Sequence, residues 1–113
     1  MSADDLATLR RQLKIKTGAA SRLNKEHGMY QKEAADLKIK KDKLRADGAE
    51  EWDIKNAGKM EDESYKMIQD TADRLAKAYG ELRDLVVSAK KQPGITDDEV
   101  FHKAEEILEE AAL

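Results

Sequence analysis

Between Leu6 and Leu44 the chain reads LATLRRQLKIKTGAASRLNKEHGMYQKEAADLKIKKDKL. Taken alternately three and four apart, its positions are Leu6, Leu9, Leu13, Lys16, Ala20, Leu23, His27, Tyr30, Ala34, Leu37, Lys41 and Leu44, and nine of these twelve are Leu, Ala or Tyr. This spacing keeps one stripe of an α-helix turned toward a partner helix, so the stretch is a coiled-coil-like seam with Leu6 at a and Leu9 at d. It predicts one helix over about residues 4–46, interrupted in its seam by Lys16, His27 and Lys41. Ser2 and Asp5 have capping-box spacing, and Met1 is placed to staple onto Leu6. Asp47-Gly48 ends the helix, because glycine takes the left-handed turn that closes helices.

A second register runs Ile54, Ala57, Glu61, Ser64, Ile68, Thr71, Leu75, Ala78, Leu82, Leu85, Ala89, and its flanking e and g positions add Tyr65, Tyr79, Val86, Met60 and Met67. So wide an apolar face calls for two neighbours, which predicts a bundle in which this helix, about residues 52–91, touches two others. Gln92-Pro93-Gly94 ends it. Thr96 then has the position of an N-cap with Glu99 as its capping-box partner and Ile95 with Val100 as a hydrophobic staple, opening a third helix over about residues 97–113. The expected fold is all-α: one domain over residues 1–113, an antiparallel three-helix bundle with two long helices and a shorter C-terminal one. Leu9, Leu23, Leu37, Ile68, Leu75 and Leu82 are its expected core.

Composition agrees. Ala, Glu, Lys, Leu and Arg make just over half of the 113 residues, as in long helices. There is no cysteine, hence no disulfide framework, thiolate metal site or thiol nucleophile. The apolar runs are too short for a secretory core or a membrane span, and the expectation is a soluble, cytoplasmic protein. Five aromatics give little with which to wall a substrate pocket, so catalysis is not expected. His27 and His102 have no His or Cys at ligand spacing, and no glycine-rich loop has phosphate-binding spacing; neither metal nor nucleotide nor other cofactor is expected.

Charge is unevenly spread. Residues 10–45 carry twelve Lys or Arg against four Asp or Glu, whereas residues 46–113 carry nine against eighteen. Oppositely charged helices can pair within the bundle, or the outer face of the first helix can attract an acidic partner. Opposite the seam lie Arg11, Ile15, Gly18, Arg22, Lys25, Met29, Lys32, Asp36 and Ile39. Ile15 and Met29, set in a row of cations, have the make-up of an interaction surface, and the competing reading is a half-buried bundle edge. A nucleic-acid binder would also be basic, but the acidic remainder and the shortage of stacking aromatics oppose it. A self-associating coiled-coil scaffold is the other alternative. Lys16 and Lys41 at seam positions favour a specified pairing over open polymerisation.

From Leu13-Lys-Ile-Lys-Thr-Gly18 through Arg22-Leu23, Lys25-Glu26, Met29-Tyr30, Lys32-Glu33-Ala34, Arg45-Ala46, Trp52-Asp53-Ile54-Lys55, Glu63-Ser64, Met67-Ile68, Arg74-Leu75 and Ala78-Tyr79, the chain closely resembles the tubulin-binding cofactor A family. The likeness covers about Leu13 to Leu85; beyond Gln92 it is one of pattern only. It implies a small three-helix protein that holds β-tubulin during folding and passes it on for assembly into the αβ heterodimer, without ATP. It further implies a cytoplasmic, cytoskeleton-associated protein, a monomer or weak dimer, with other tubulin folding cofactors as candidate further partners and no nucleic acid or membrane. Joined to the charge reading, it makes Ile15, Arg22, Lys25, Met29 and Lys32 the candidate tubulin-binding residues.

Overall fold

In the computed structural model, which describes residues 2–111, the chain forms α1 (Ala3–Ala46), α2 (Glu51–Ala89) and α3 (Glu99–Ala111), with no strand among the described residues. The staple expected from Met1 and the last two residues of the third helix fall outside that range. The start of α1 is the reciprocal box anticipated from Ser2 and Asp5: the Asp5 amide donates to Ser2 Oγ at 3.1 Å and the Ser2 amide to Asp5 Oδ2 at 3.3 Å. At its end Gly48 has φ of 70°, the Gly48 amide donates to the Arg45 carbonyl and the Ala49 amide to the Leu44 carbonyl. That pattern satisfies carbonyls which the helix leaves open and turns the chain back within a few residues.

Two compact units make up the fold, one of residues up to Leu23 together with those from Arg74 onward, the other of Asn24–Asp73. In the first unit, α1 and α2 run antiparallel and α3 packs on both. Its core joins Leu9, Leu13 and Ala20 of α1, Leu82, Val86 and Ala89 of α2, Ile95 of the connection, and Phe101, Ala104 and Ile107 of α3. Arg10 reaches across from α1 to ion-pair with Asp98 and donates to the Gly94 carbonyl, pinning the connection that precedes α3.

The second unit is a two-helix hairpin, and its seam is small and polar: Ala34, Leu37, Ala57, Glu61, Ser64 and Thr71 are its buried residues. α2 touches two neighbours, as its wide apolar face implied, but does so only in the first unit. α3 has only 13 residues and packs within the first unit, so the wide face of α2 is covered at Tyr79 and Val86, while in the second unit Met60 and Tyr65 stay 42% and 47% exposed. Of the six expected core residues, Leu9, Leu37, Leu75 and Leu82 are buried, and Leu23 and Ile68 are half-buried.

The start of α3 corrects an expectation. The cap is Asp98, whose Oδ1 accepts the Val100 amide at 3.0 Å and whose carbonyl accepts the His102 amide. Thr96 instead directs its hydroxyl to the Pro93 carbonyl. Asp is a strong N-cap, and this one is also held by Arg10, so the helix begins two residues later than the Thr96 spacing suggests. Ile95 is fully buried in the core, and Val100, its expected staple partner, packs against that same cluster.

These burials order the stabilities. Leu82→Ala and Leu75→Ala are expected to lower the unfolding free energy by about 2–5 kcal/mol, and Ile68→Ala by less, in urea titrations followed by circular dichroism. An Ile68→Ala loss larger than that of Leu82→Ala would contradict the packing described.

Candidate functional site

Each polar residue that interrupts the α1 seam is answered by α2. In the first unit Lys16 Nζ lies 3.1 Å from Glu81 Oε2. In the second unit His27 Nδ1 lies 2.9 Å from Thr71 Oγ1, and Lys41 Nζ 2.5 Å from Glu61 Oε1. Thr71 Oγ1 also lies within hydrogen-bonding distance of the Met67 and Ile68 carbonyls; with its one proton given to them, its oxygen accepts from a His27 ring that carries a proton on Nδ1. Glu61 also accepts from the Tyr65 hydroxyl at 2.7 Å. The hydrogen bonds from Lys41 and then Tyr65 hold the Glu61 carboxyl below the ordinary carboxylate range, outweighing burial, and the same bond to Glu61 raises the Tyr65 phenol. Asp98 is likewise lowered, first by the Val100 amide and then by Arg10.

The outward cations of α1 behave differently. Arg22, Lys25 and Lys32 are exposed and have no ion-pair partner among the described residues. Ile15 and Met29 are exposed at 59% and 55%. All five residues therefore stand outside the seam on α1, Ile15 and Arg22 in the first unit and Lys25, Met29 and Lys32 in the second. The half-buried edge that competed with this reading is absent at these positions. Met29 and Lys32 share a shallow hollow with Asp36 and Leu37, while Arg22 edges a separate concavity of the first unit. Ile15 and Lys25 line neither. Sequence reasoning passed over other exposed apolar residues of the second unit, Met60 and Tyr65, because their e and g positions read as covered.

No helix among the described residues is long and apolar enough to cross a membrane. The model of the family described as "Tubulin binding cofactor A" matches residues 8–108. This chain belongs to the tubulin binding cofactor A family. The match runs past Leu85, where the quoted resemblance stops, and takes in most of α3. "Tubulin-specific chaperone A" of Homo sapiens is 38% identical over 103 residues, covering 91% of this chain and 93% of that protein. Two solved structures are similar throughout. The human tubulin chaperone cofactor A has a TM-score of 0.77 at 36% identity, covering 93% of this chain and 99% of that one. Tubulin folding cofactor A from Arabidopsis thaliana has a TM-score of 0.85 at 25% identity, covering 94% and 97%. The three-helix arrangement is thus shared by members of the cofactor A family whose sequences have diverged widely.

The direction of the two carboxyl shifts sets a pH dependence. A carboxyl whose folded pKa is depressed adds stability above its unfolded pKa, and that stability is lost as pH falls through the folded value. Thermal stability is therefore expected to fall steadily from about pH 5 to about pH 2. The gap between wild type and Glu61→Gln should be widest near neutrality and close over that interval. A gap independent of pH would show that Glu61 acts through packing and not through its charge.

Proposed function

We propose that this protein is a tubulin folding cofactor that captures β-tubulin on the way to the αβ heterodimer. The observation that carries the reading is the set of α1 cations left unanswered inside the protein, on a chain matched to its family across three helices. Seam cations such as Lys16 and Lys41 are neutralised by α2; Arg22, Lys25 and Lys32 keep their charge available to an acidic partner. Ile15 and Met29 supply contact area once water leaves the interface. Capture is stoichiometric, needs neither ATP nor a catalytic step, and takes place in the cytoplasm near the cytoskeleton. A self-associating scaffold is less well supported, since the seam residues it would use are already paired within the chain.

Purified β-tubulin provides the test. Arg22→Glu with Lys25→Glu should slow association by about tenfold at low salt and by much less near 0.15 M, where charges are screened beyond about 8 Å. Ile15→Ala with Met29→Ala should instead raise the dissociation rate with little salt dependence. Helicity should be unchanged in both, because these side chains are solvated in the free protein. If all four substitutions leave capture intact while changes on α2 or α3 abolish it, the outer row of α1 is only a solvated face.

A further inference from the structure

The first unit has a groove that neither the seam nor the outer row accounts for. It opens between α1 and α3 with a volume of about 520 Å³. Thr17 and Gly18 lie along its α1 side and Val100 along its α3 side, while Lys14, Arg22 and Lys103 outnumber its one carboxylate, Glu99. That size is in the range of sites that enclose a few residues of a ligand.

Two details show that the groove is incomplete as it stands. Thr17 is 6% exposed, yet its Oγ1 has no hydrogen-bond partner, although buried hydroxyls are nearly always satisfied. Thr71, fully buried on α2, makes three such contacts. At Gly18 the nearest atom to an added Cβ would be Arg22 Nη1, at 3.2 Å. The guanidinium therefore lies beside a stretch of bare backbone, and it has no carboxylate within ion-pair distance among the described residues. A planar guanidinium in that state is suited to grip a carboxylate through two N–H groups.

We infer that the groove takes an acidic segment of the captured tubulin, an assignment that rests on the tubulin reading above. A carboxylate of the segment sits on Arg22, with Lys14 and Lys103 holding the surrounding negative charge. The segment's main chain passes close over Gly18, and the Thr17 hydroxyl, enclosed in the free protein, turns about its χ1 to donate to one of the segment's carbonyls. An apolar side chain covers Val100. The net positive lining selects this occupant over a basic or neutral segment.

The assignment is tested on the full chain with purified β-tubulin, leaving Arg22 in place. Gly18→Leu fills the groove and should weaken capture by about tenfold or more. Thr17→Val keeps the shape, removes the hydroxyl and should weaken capture by roughly threefold to tenfold. Both should melt at or above the wild-type temperature, since one replaces a helical glycine and the other removes an unsatisfied buried hydroxyl. Weaker capture by a more stable protein is an outcome that a purely structural role cannot give. Gly80→Leu, where an added Cβ meets nothing within 4 Å, should capture like wild type. Zero-length carbodiimide coupling should join Lys14 or Lys103 to an Asp- and Glu-rich peptide of tubulin. Undiminished capture by both groove variants overturns the groove and leaves the function standing. Absence of capture by wild type overturns the function, and the groove with it. Coupling of Lys103 to a second copy of this chain, with dimers that Gly18→Leu abolishes, makes the groove a self-contact and also overturns the assignment.

Discussion

A polar side chain placed in the seam between two helices has to find its partner in that same seam, and the packing of this protein follows from that requirement. Lys16, His27 and Lys41 descend α1 while Glu81, Thr71 and Glu61 are met in the opposite order on α2. Sliding either helix by a turn would part all three pairs. A buried hydroxyl or ring nitrogen stranded in that way costs about 1–3 kcal/mol. The apolar heptads alone tolerate such slips, because one leucine layer resembles the next; the polar pairs do not. Their contribution is therefore to uniqueness more than to gross stability, which is the usual standing of ion pairs in a helical interface.

Much of this was legible in the chain because it depends on local chemistry. The seam positions of α1 and α2 are all buried or half-buried, as the 3.5 spacing implied, and the Ser2–Asp5 box and the Gly48 turn depend on residues within a few positions of each other. The misreadings are all non-local. By spacing Thr96 is the cap, with Glu99 as its box partner, but the choice falls to Asp98, which an arginine 88 residues away holds in place. Tyr65 and Tyr79 occupy equivalent positions on α2, and only the short reach of α3 leaves the first of them bare. The exposure of Ile15, Arg22, Lys25, Met29 and Lys32 could be read from helical phase alone. The groove beside Thr17 could not, since it exists only where α3 lies against α1.

The same bookkeeping of phase separates two populations of charge on α1. Lysines facing inward are consumed by glutamates of α2, and the acidic character of the later part of the chain is partly explained by that demand. What remains outward is a cationic surface with isolated apolar residues, without internal ion-pair partners at Arg22, Lys25 and Lys32 among the described residues. A long helix can serve both purposes at once because 3.6 residues per turn place successive side chains about 100° apart. The paired seam and the outward cations then occupy different sides of one element, and a substitution on one side need not disturb the other.

The turn at Gly48 has an entropic consequence for how the chain comes together. The second unit is a continuous run of 50 residues closed by a connection of four, whereas the first unit joins the two ends of the chain. Bringing those ends together in an unfolded chain means closing a loop of about 50 residues in place of about four, which costs about 2 kcal/mol more. Once the hairpin has zipped, that span is no longer a flexible loop, and the helices arrive at the first unit already side by side. A glycine in a left-handed conformation thus lowers the conformational search for a core in which it takes no part.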